Sequence, residues 1–378
     1  MNCTGRFFQR ALPPLFALSI LLLSAALLGA AASPVQIEYV LGTFCSVNLY
    51  EDGNNKLYAR IFSRLREIDR TMSAKPADFR ESVVKTPSTG PGSKADKIDS
   101  AVDSSLAMIN RNAGIAPVKA GSDLLEVLEQ AVQYARLSGG AYDPTVGPLV
   151  NLWGIGTETE RIPGEAEIQA ALALVNWQDL VINKEEKTAF LRRKGMALDL
   201  GAIAKGYAAD EAARLAKKGK ARRGIVDLGG NIFALGGRGS GKKAAPWRIG
   251  VQDPQGKRGE YIGVLLAADK SIVTSGVYER YFESGGRRYH HILSTKDGWP
   301  VNNGLLSVTI MADRSIDADA LSTAVFALGY AEGRALIDST AGVEAVFVFE
   351  DRAVKITDGL REIFSLTGKN YFIDMDTP

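Results

Sequence analysis

The chain has 378 residues, 46% of them hydrophobic and 23% charged, enough to bury a substantial core in one large or two intimate domains and too apolar for a fibre or a wholly disordered chain. Formal net charge is +2, and Arg6 and Arg10 supply that excess, so the remainder balances. Such a balance argues against nucleic acid or a strongly anionic membrane surface as the main partner.

The N-terminus, MNCTGRFFQRALPPLFALSILLLSAALLGAAASP, has a basic start, an apolar run from Leu15 to Ala32, and Ala30, Ala31 and Ala32 before Ser33. Residues 1–32 therefore read as an export signal, and an uncleaved anchor is the alternative because the run approaches the length of a spanning helix. The expected location is periplasmic or membrane-associated on the outer face of the inner membrane. Cys3 would leave with the signal, and Cys45 alone offers neither a disulfide nor a cysteine metal cluster, which makes it a buried structural residue.

Ile37 to Tyr50, IEYVLGTFCSVNLY, is β-branched and aromatic with polar alternation and predicts a strand, closed by the turn EDGNN. In LYARIFSRLREIDRTMS, Leu57, Ile61, Leu65 and Ile68 recur at helical spacing. From Lys75 to about Ala101, Pro, Gly, Ser and Lys crowd out large apolar residues, which predicts a loop or disordered insertion. SSLAMINRNAG ends at a glycine, and GSDLLEVLEQAVQYARLSGG predicts a helix capped by Ser122 or Asp123 and stopped at Gly139. In GGAYDPTVGPLVNLWGIG (139–156), glycines and prolines fix the backbone around Tyr142, Asp143 and Thr145 more tightly than an ordinary connection needs, although Asp-Pro also makes plain turns.

A helix, AEIQAALALV, and strands around DLVIN and TAFLRR lead to ALDLGAIAKGYAADEAARLAKKG, Ala197 to Gly219, which reads as strand, turn and helix. The turn sets Asp199, the backbone of Gly201 and Ala202, and the Lys205 ammonium around a helix N-terminus, where free N–H groups favour an anion such as phosphate. Close strand-to-helix packing is the plainer alternative. RRGIVDLGGNIFALGGRG then predicts strand, glycine turn and strand, with Gly229 and Gly230 free to approach a ligand or simply to bend. GGRGSGK (236–242) imitates a P-loop, but Lys243 stands where Ser or Thr should hold magnesium and AAPW follows in place of a helix, so a solvated hairpin tip is the better account.

SIVTSGVYERYFESGGRRYHHILSTKDGWPVNNGLLSVTIMA predicts a strand, a hairpin around Gly285 and Gly286, a second strand ending in the chain's two histidines, His290 and His291, and then a turn and a further strand. Alternation sends the two imidazoles to opposite faces. SIDADALSTAVFALG predicts a helix starting near Asp317, with Asp319 and Thr323 four apart on one face. A carboxylate and a hydroxyl there offer two hard oxygens for Mg²⁺, with helix capping by Asp317 or Asp319 as the alternative.

Together DLGAIAKGYAAD, GAYDPTVGPLVNLWG, DLGGNIFALG, TSGVYERYF with RRYHHI, and ADALSTAVFALG resemble, in order and approximate spacing, the FAD:protein FMN transferases, the ApbE-like flavin transferases. The resemblance runs from about Leu41 to Phe372. It implies one flavin transferase domain over 33–378, interrupted by the insertion, with an α+β fold of two closely joined lobes of mixed or antiparallel sheet and packed helices. It also implies an exported, Mg²⁺-dependent enzyme that joins FMN from FAD by a phosphoester to a Thr or Ser of a target protein and releases AMP. Leu41, Ala141, Tyr142, Asp143, Asp199, Lys205 and Ile292 correspond to flavin-nucleotide contacts, and the Ala202 carbonyl, Asp319 and Thr323 to the metal site. Lys205 is expected to stabilise phosphate charge, and His291, rather than His290, to act as the base for the accepting hydroxyl.

Three departures accompany the likeness: Leu41 where Met is usual, no aromatic residue after Met72 and Ser73, and STKDGWP in place of an Asp-Pro before the glycine. None touches Asp199, Asp319 or Thr323. If water replaces the acceptor, the same site makes a FAD pyrophosphatase yielding FMN and AMP; a third reading is an exported FAD-binding protein without turnover.

Overall fold

The computed structural model describes residues 35–74, 104–239 and 244–374; the N-terminal leader, the insertion and the tip of GGRGSGK lie outside the described residues. One sheet organises the rest, in the order β1 (Gln36–Val40), β2 (Thr43–Asn48), β6 (Gly224–Leu228), β7 (Asn231–Leu235), β10 (Lys270–Gly276), β13 (Leu305–Ala312), β14 (Glu344–Phe349), β15 (Ala353–Ile356) and β17 (Phe372–Ile373). Its neighbours are antiparallel except for the parallel pair of β15 and β17, so the sheet is mixed.

Strand alternation divides the core in two. On β14, Ala345 and Phe347 face the helices, whereas Val346 and Val348 face the other way. The helical layer contains α1 (Asn55–Met72), α6 (Ala204–Lys218) and α7 (Ser315–Leu328). A three-stranded sheet of β8 (Trp247–Gln252), β9 (Tyr261–Ala267) and β16 (Phe364–Leu366) covers the opposite face, burying Trp247, Ile249, Val251 and Leu265.

The second lobe holds α2 (Ser105–Arg111), α3 (Ser122–Leu137), and a small sheet of β3 (Val118–Lys119), β4 (Leu180–Asn183) and β5 (Thr188–Leu191). Leu128, Leu180 and Leu191 belong to the same apolar cluster as Leu65 of α1, so one core joins the lobes. A separate cluster of Leu149, Trp153, Ile168, Tyr289 and Leu293 unites α4 (Gly147–Trp153) and α5 (Glu165–Leu172) with the hairpin β11 (Tyr281–Ser284) and β12 (Arg287–His290). Helix α8 (Tyr330–Asp338) follows α7 directly. This is the α+β fold anticipated from the resemblance.

Several local expectations need correction. The stretch from Ile37 to Tyr50 is a hairpin, not one strand: Leu41 and Gly42 take φ of 57° and 71° and turn the chain back on itself. Leucine is a poor advertisement for such a turn. Helix α3 is capped by Gly121, a residue earlier than expected. Ala197 makes only an isolated parallel bridge to Val146, so the segment before α6 is extended but not part of a sheet.

Helix α7 begins at Ser315 rather than near Asp317, because the carboxylate of Asp210 on α6 accepts the N–H groups of Ser315 at 2.7 Å and Ile316 at 2.9 Å. The cap comes from another helix, where sequence proximity gives no hint of it. Asp210→Ala is expected to lower stability by about 1–2 kcal/mol, and Asp210→Asn by less because an acceptor survives; paired urea denaturation curves check this.

Candidate active site

Two helices that meet at one glycine set the geometry. A Cβ at Gly206 would lie 2.4 Å from the Ser315 carbonyl oxygen and 2.6 Å from Ile316 Cα, so only glycine lets α6 and α7 approach this closely. The Gly206 N–H then donates to Asp319 Oδ2 at 2.8 Å, and Asp319 Oδ1 lies 3.7 Å from Lys205 Nζ. Lys205 also donates to the Gly201 carbonyl at 2.8 Å, which pins its ammonium over the turn leading into α6. Ala202 lies half-buried in that turn.

Thr323 follows Asp319 by one helical turn, and its Oγ1 lies 3.1 Å from Ser275 Oγ on β10. Ser275 also meets Ser322 at 2.8 Å, and the Ser322 hydroxyl donates to the Asp319 carbonyl at 2.9 Å. The central strand thus locks the helix face that carries Asp319 and Thr323. Sequence reasoning missed Ser275; its only signal was a serine beside a glycine at a strand end, in TSGVYERYF.

The glycine- and proline-rich stretch is brought alongside by main-chain bonds: Asp199 N–H donates to Pro144 O at 2.8 Å and Gly147 N–H to Ala197 O at 3.2 Å. Asp199 Oδ1 accepts from Gly201 N–H at 2.7 Å, which shapes the turn. Tyr142 is buried beside these groups, and its hydroxyl has no hydrogen-bond partner. Burial first, then the negative charges of Asp319 and Asp199, push its phenol well above the ordinary range.

The Asp143 carboxylate is engaged by its own loop and by the segment at Trp177. Its Oδ1 accepts from both the Thr145 N–H and hydroxyl at 2.7 Å, and its Oδ2 from Trp177 N–H at 2.9 Å, so the side chain shapes the loop. Ala141 N–H donates to Ser138 O at 3.1 Å, leaving that residue half-buried on the loop surface. Leu41 sits at the tip of the β1–β2 hairpin, packed against the main core. That tip abuts the next glycine turn, since a Cβ at Gly229 would fall 2.4 Å from Thr43 Oγ1.

The histidines separate as alternation predicts. His290 is buried with Nε2 at 2.8 Å from the Val301 carbonyl and its ring edge-on to Phe326. His291 faces the other way, with Nδ1 3.2 Å from the Arg280 carbonyl. A carbonyl only accepts, so Nδ1 carries the proton and Nε2 is left with its lone pair. Desolvation, aided by the Arg280 and Lys205 cations, pushes the His291 pKa down to about 3. Ile292 is buried, with its carbonyl taken by Val301 N–H at 3.0 Å. Glu279, a further residue that sequence reasoning passed over, has its carboxyl raised by burial while Arg258, Lys205 and Arg280 act in the opposite direction.

Among the described residues no three His, Cys, Asp or Glu side chains gather as a metal cluster. A cation here would rely on one carboxylate supplemented by hydroxyl and carbonyl oxygens. An open groove of about 560 Å³ beside Pro148, Leu152, Ala171 and Leu174 is lined by none of the candidate site residues. What the site does offer is the Lys205 ammonium over the turn into α6, one buried carboxylate and a hydroxyl; the ammonium at a helix start suits a polyanion.

A family model described as the ApbE family matches residues 41–347. The FAD:protein FMN transferase of Treponema pallidum (strain Nichols) is 37% identical over 333 residues, covering 85% of this chain and 86% of the relative. That of Klebsiella pneumoniae (strain 342) is 35% identical over 269 residues, with 71% and 82% covered. The crystal structure of the ApbE protein from Thermotoga maritima matches with a TM-score of 0.74 at 28% identity, over 87% of this chain and 98% of that one. The flavin transferase ApbE from Vibrio cholerae matches with a TM-score of 0.69 at 25% identity, over 90% and 98%.

Proposed function

The chain belongs to the ApbE family, and from that premise we propose that it transfers FMN from FAD to a Thr or Ser hydroxyl of a target protein, releasing AMP. The observation that carries this reading is the approach of Lys205 Nζ to within 3.7 Å of Asp319 Oδ1, which brings two stretches far apart in sequence to one point. In the reaction the acceptor oxygen attacks the phosphorus on the FMN side of the diphosphate. The bond from that phosphorus to the bridging oxygen breaks, and AMP leaves with the bridging oxygen.

Lys205, with the Ala202 amide of the turn, holds the diphosphate and stabilises the charge that builds on it. Mg²⁺ belongs to the same reading. Asp319, Thr323 and the Ala202 carbonyl are all hard oxygen donors, and the unpartnered Tyr142 hydroxyl beside Asp319 supports a polar occupant close by. When bound, the ion would offset the negative charge of the diphosphate oxygens. The leader sequence supports export to the periplasm, with or without retention at the outer face of the inner membrane.

His291 Nε2 takes the proton of the accepting hydroxyl. His291→Ala is expected to lower kcat by about 10²–10⁴-fold with little change in KM for FAD, read from AMP release. Its depressed pKa sets two pH signs. The neutral, proton-accepting form persists well below pH 6.5, so the wild-type rate should show no acid limb from this residue near the ordinary histidine value. The unfolded chain protonates first as pH falls through that range, so acidification destabilises the fold through His291, and the Ala variant should be less acid-sensitive than its parent.

The reading is tested by incubating the purified chain with FAD, Mg²⁺ and an acceptor peptide containing threonine. Covalent flavin fluorescence on the peptide supports transfer, free FMN with AMP but no labelled peptide assigns hydrolysis instead, and intact FAD overturns both.

A further inference from the structure

We propose that the outward face of the β1–β2 hairpin rests on a lipid bilayer. Val35, Ile37, Tyr39 and Phe44 are 47%, 62%, 50% and 68% exposed, and they form one surface. Ile37 and Tyr39 alternate along β1, and Phe44 stands opposite Tyr39 in the register, with ring centroids 5.4 Å apart. The other side of the ribbon behaves normally: Val40, Cys45 and Val47 enter the core, and Glu38 pairs with Arg66 of α1.

Farther along the sheet this outward face is covered by the sheet of β8, β9 and β16, over Ile225, Ile232, Ile272 and Val346, but that apolar cluster includes no residue of β1 or β2. An uncovered patch of large apolar and aromatic side chains on an edge hairpin calls for an occupant.

The chain outside the described residues points to which one. The apolar run from Leu15 to Ala32 ends just before Val35, so wherever that run enters a membrane the patch begins within about 10 Å of it, at ~3.5 Å per residue. Tyrosine and phenylalanine suit the boundary between headgroups and acyl chains. A second copy fits less well, because the four partly exposed side chains offer roughly 400 Å², about half of the ~800 Å² per partner that a stable interface uses. The patch is apolar rather than basic, so the contact should form on neutral lipid and survive salt.

The test uses the full chain with Cys3→Ser and Phe44→Cys, spin-labelled at position 44; Cys45 is fully buried and stays unlabelled. On phosphatidylcholine vesicles the nitroxide at 44 is expected to become several-fold more accessible to oxygen than to a water-soluble nickel reagent. A control label from Leu137→Cys, at a site 49% exposed at the end of α3 on the helical side of the sheet, should remain aqueous. An aqueous signal at 44 on vesicles overturns the proposal, as does dipolar broadening between labels at 44, which would make a second copy the occupant. No FAD is present in the measurement, so its failure is separable from failure of the flavin-transfer reading.

Discussion

Gly206→Ala should unfold or severely weaken the protein and abolish FAD turnover, although alanine is the better helix former. Propensity favours the variant by about 1 kcal/mol in a helix interior. Against this, the new methyl meets the Ser315 carbonyl oxygen at 2.4 Å, Ile316 Cα at 2.6 Å and Asp319 Cβ at 2.8 Å. None of these is the far end of a flexible side chain, so α6 and α7 must separate. Overpacking at such a site costs about 3 kcal/mol or more and outweighs the gain. Separation also removes the Gly206 N–H from Asp319 Oδ2, so activity should fall before the fold is lost. Urea denaturation alongside AMP release checks both; unchanged stability would mean the helices do not meet at this glycine.

Asp319→Asn is the complementary case, in which chemistry should fail while the fold survives. Asparagine is nearly isosteric and its carbonyl oxygen can still accept from Gly206 N–H, so stability should change by less than about 1.5 kcal/mol. The charge facing Lys205 and the hardest of the proposed metal donors are gone, and kcat/KM for FAD should drop by about 10²–10³-fold or more. Asp319→Ala would be a poorer probe. It strands a buried N–H, which by itself costs about 1–3 kcal/mol. Full activity in Asp319→Asn would mean that the carboxylate has only a structural role in joining the helices.

Elements with local signatures were legible in the sequence. The periodic Leu57, Ile61, Leu65 and Ile68 gave α1, the Gly229–Gly230 pair gave the turn between β6 and β7, and the spacing of Asp319 and Thr323 put them on one face of α7. The order of the motifs carried the fold class and the candidate site as a set. What stayed hidden depends on partners distant in sequence. Nothing around Ser315 announces that Asp210 caps its helix, and nothing around Gly206 announces the backbone of α7 pressed against it. Leu41 in a left-handed conformation reads as strand interior, because leucine seldom occupies that region. Ser275 and Glu279 looked like ordinary residues of a strand and its following loop until the fold set them beside Thr323 and Lys205.

The convergence of α6 and α7 on one diphosphate is tested most directly by a crystal structure of the chain with FAD and Mn²⁺, using anomalous scattering to locate the ion. The account predicts a peak against Asp319 Oδ1 and Thr323 Oγ1, with the diphosphate lying over Lys205 and the Ala202 amide. A peak held by other residues, or a diphosphate distant from Lys205, would contradict it.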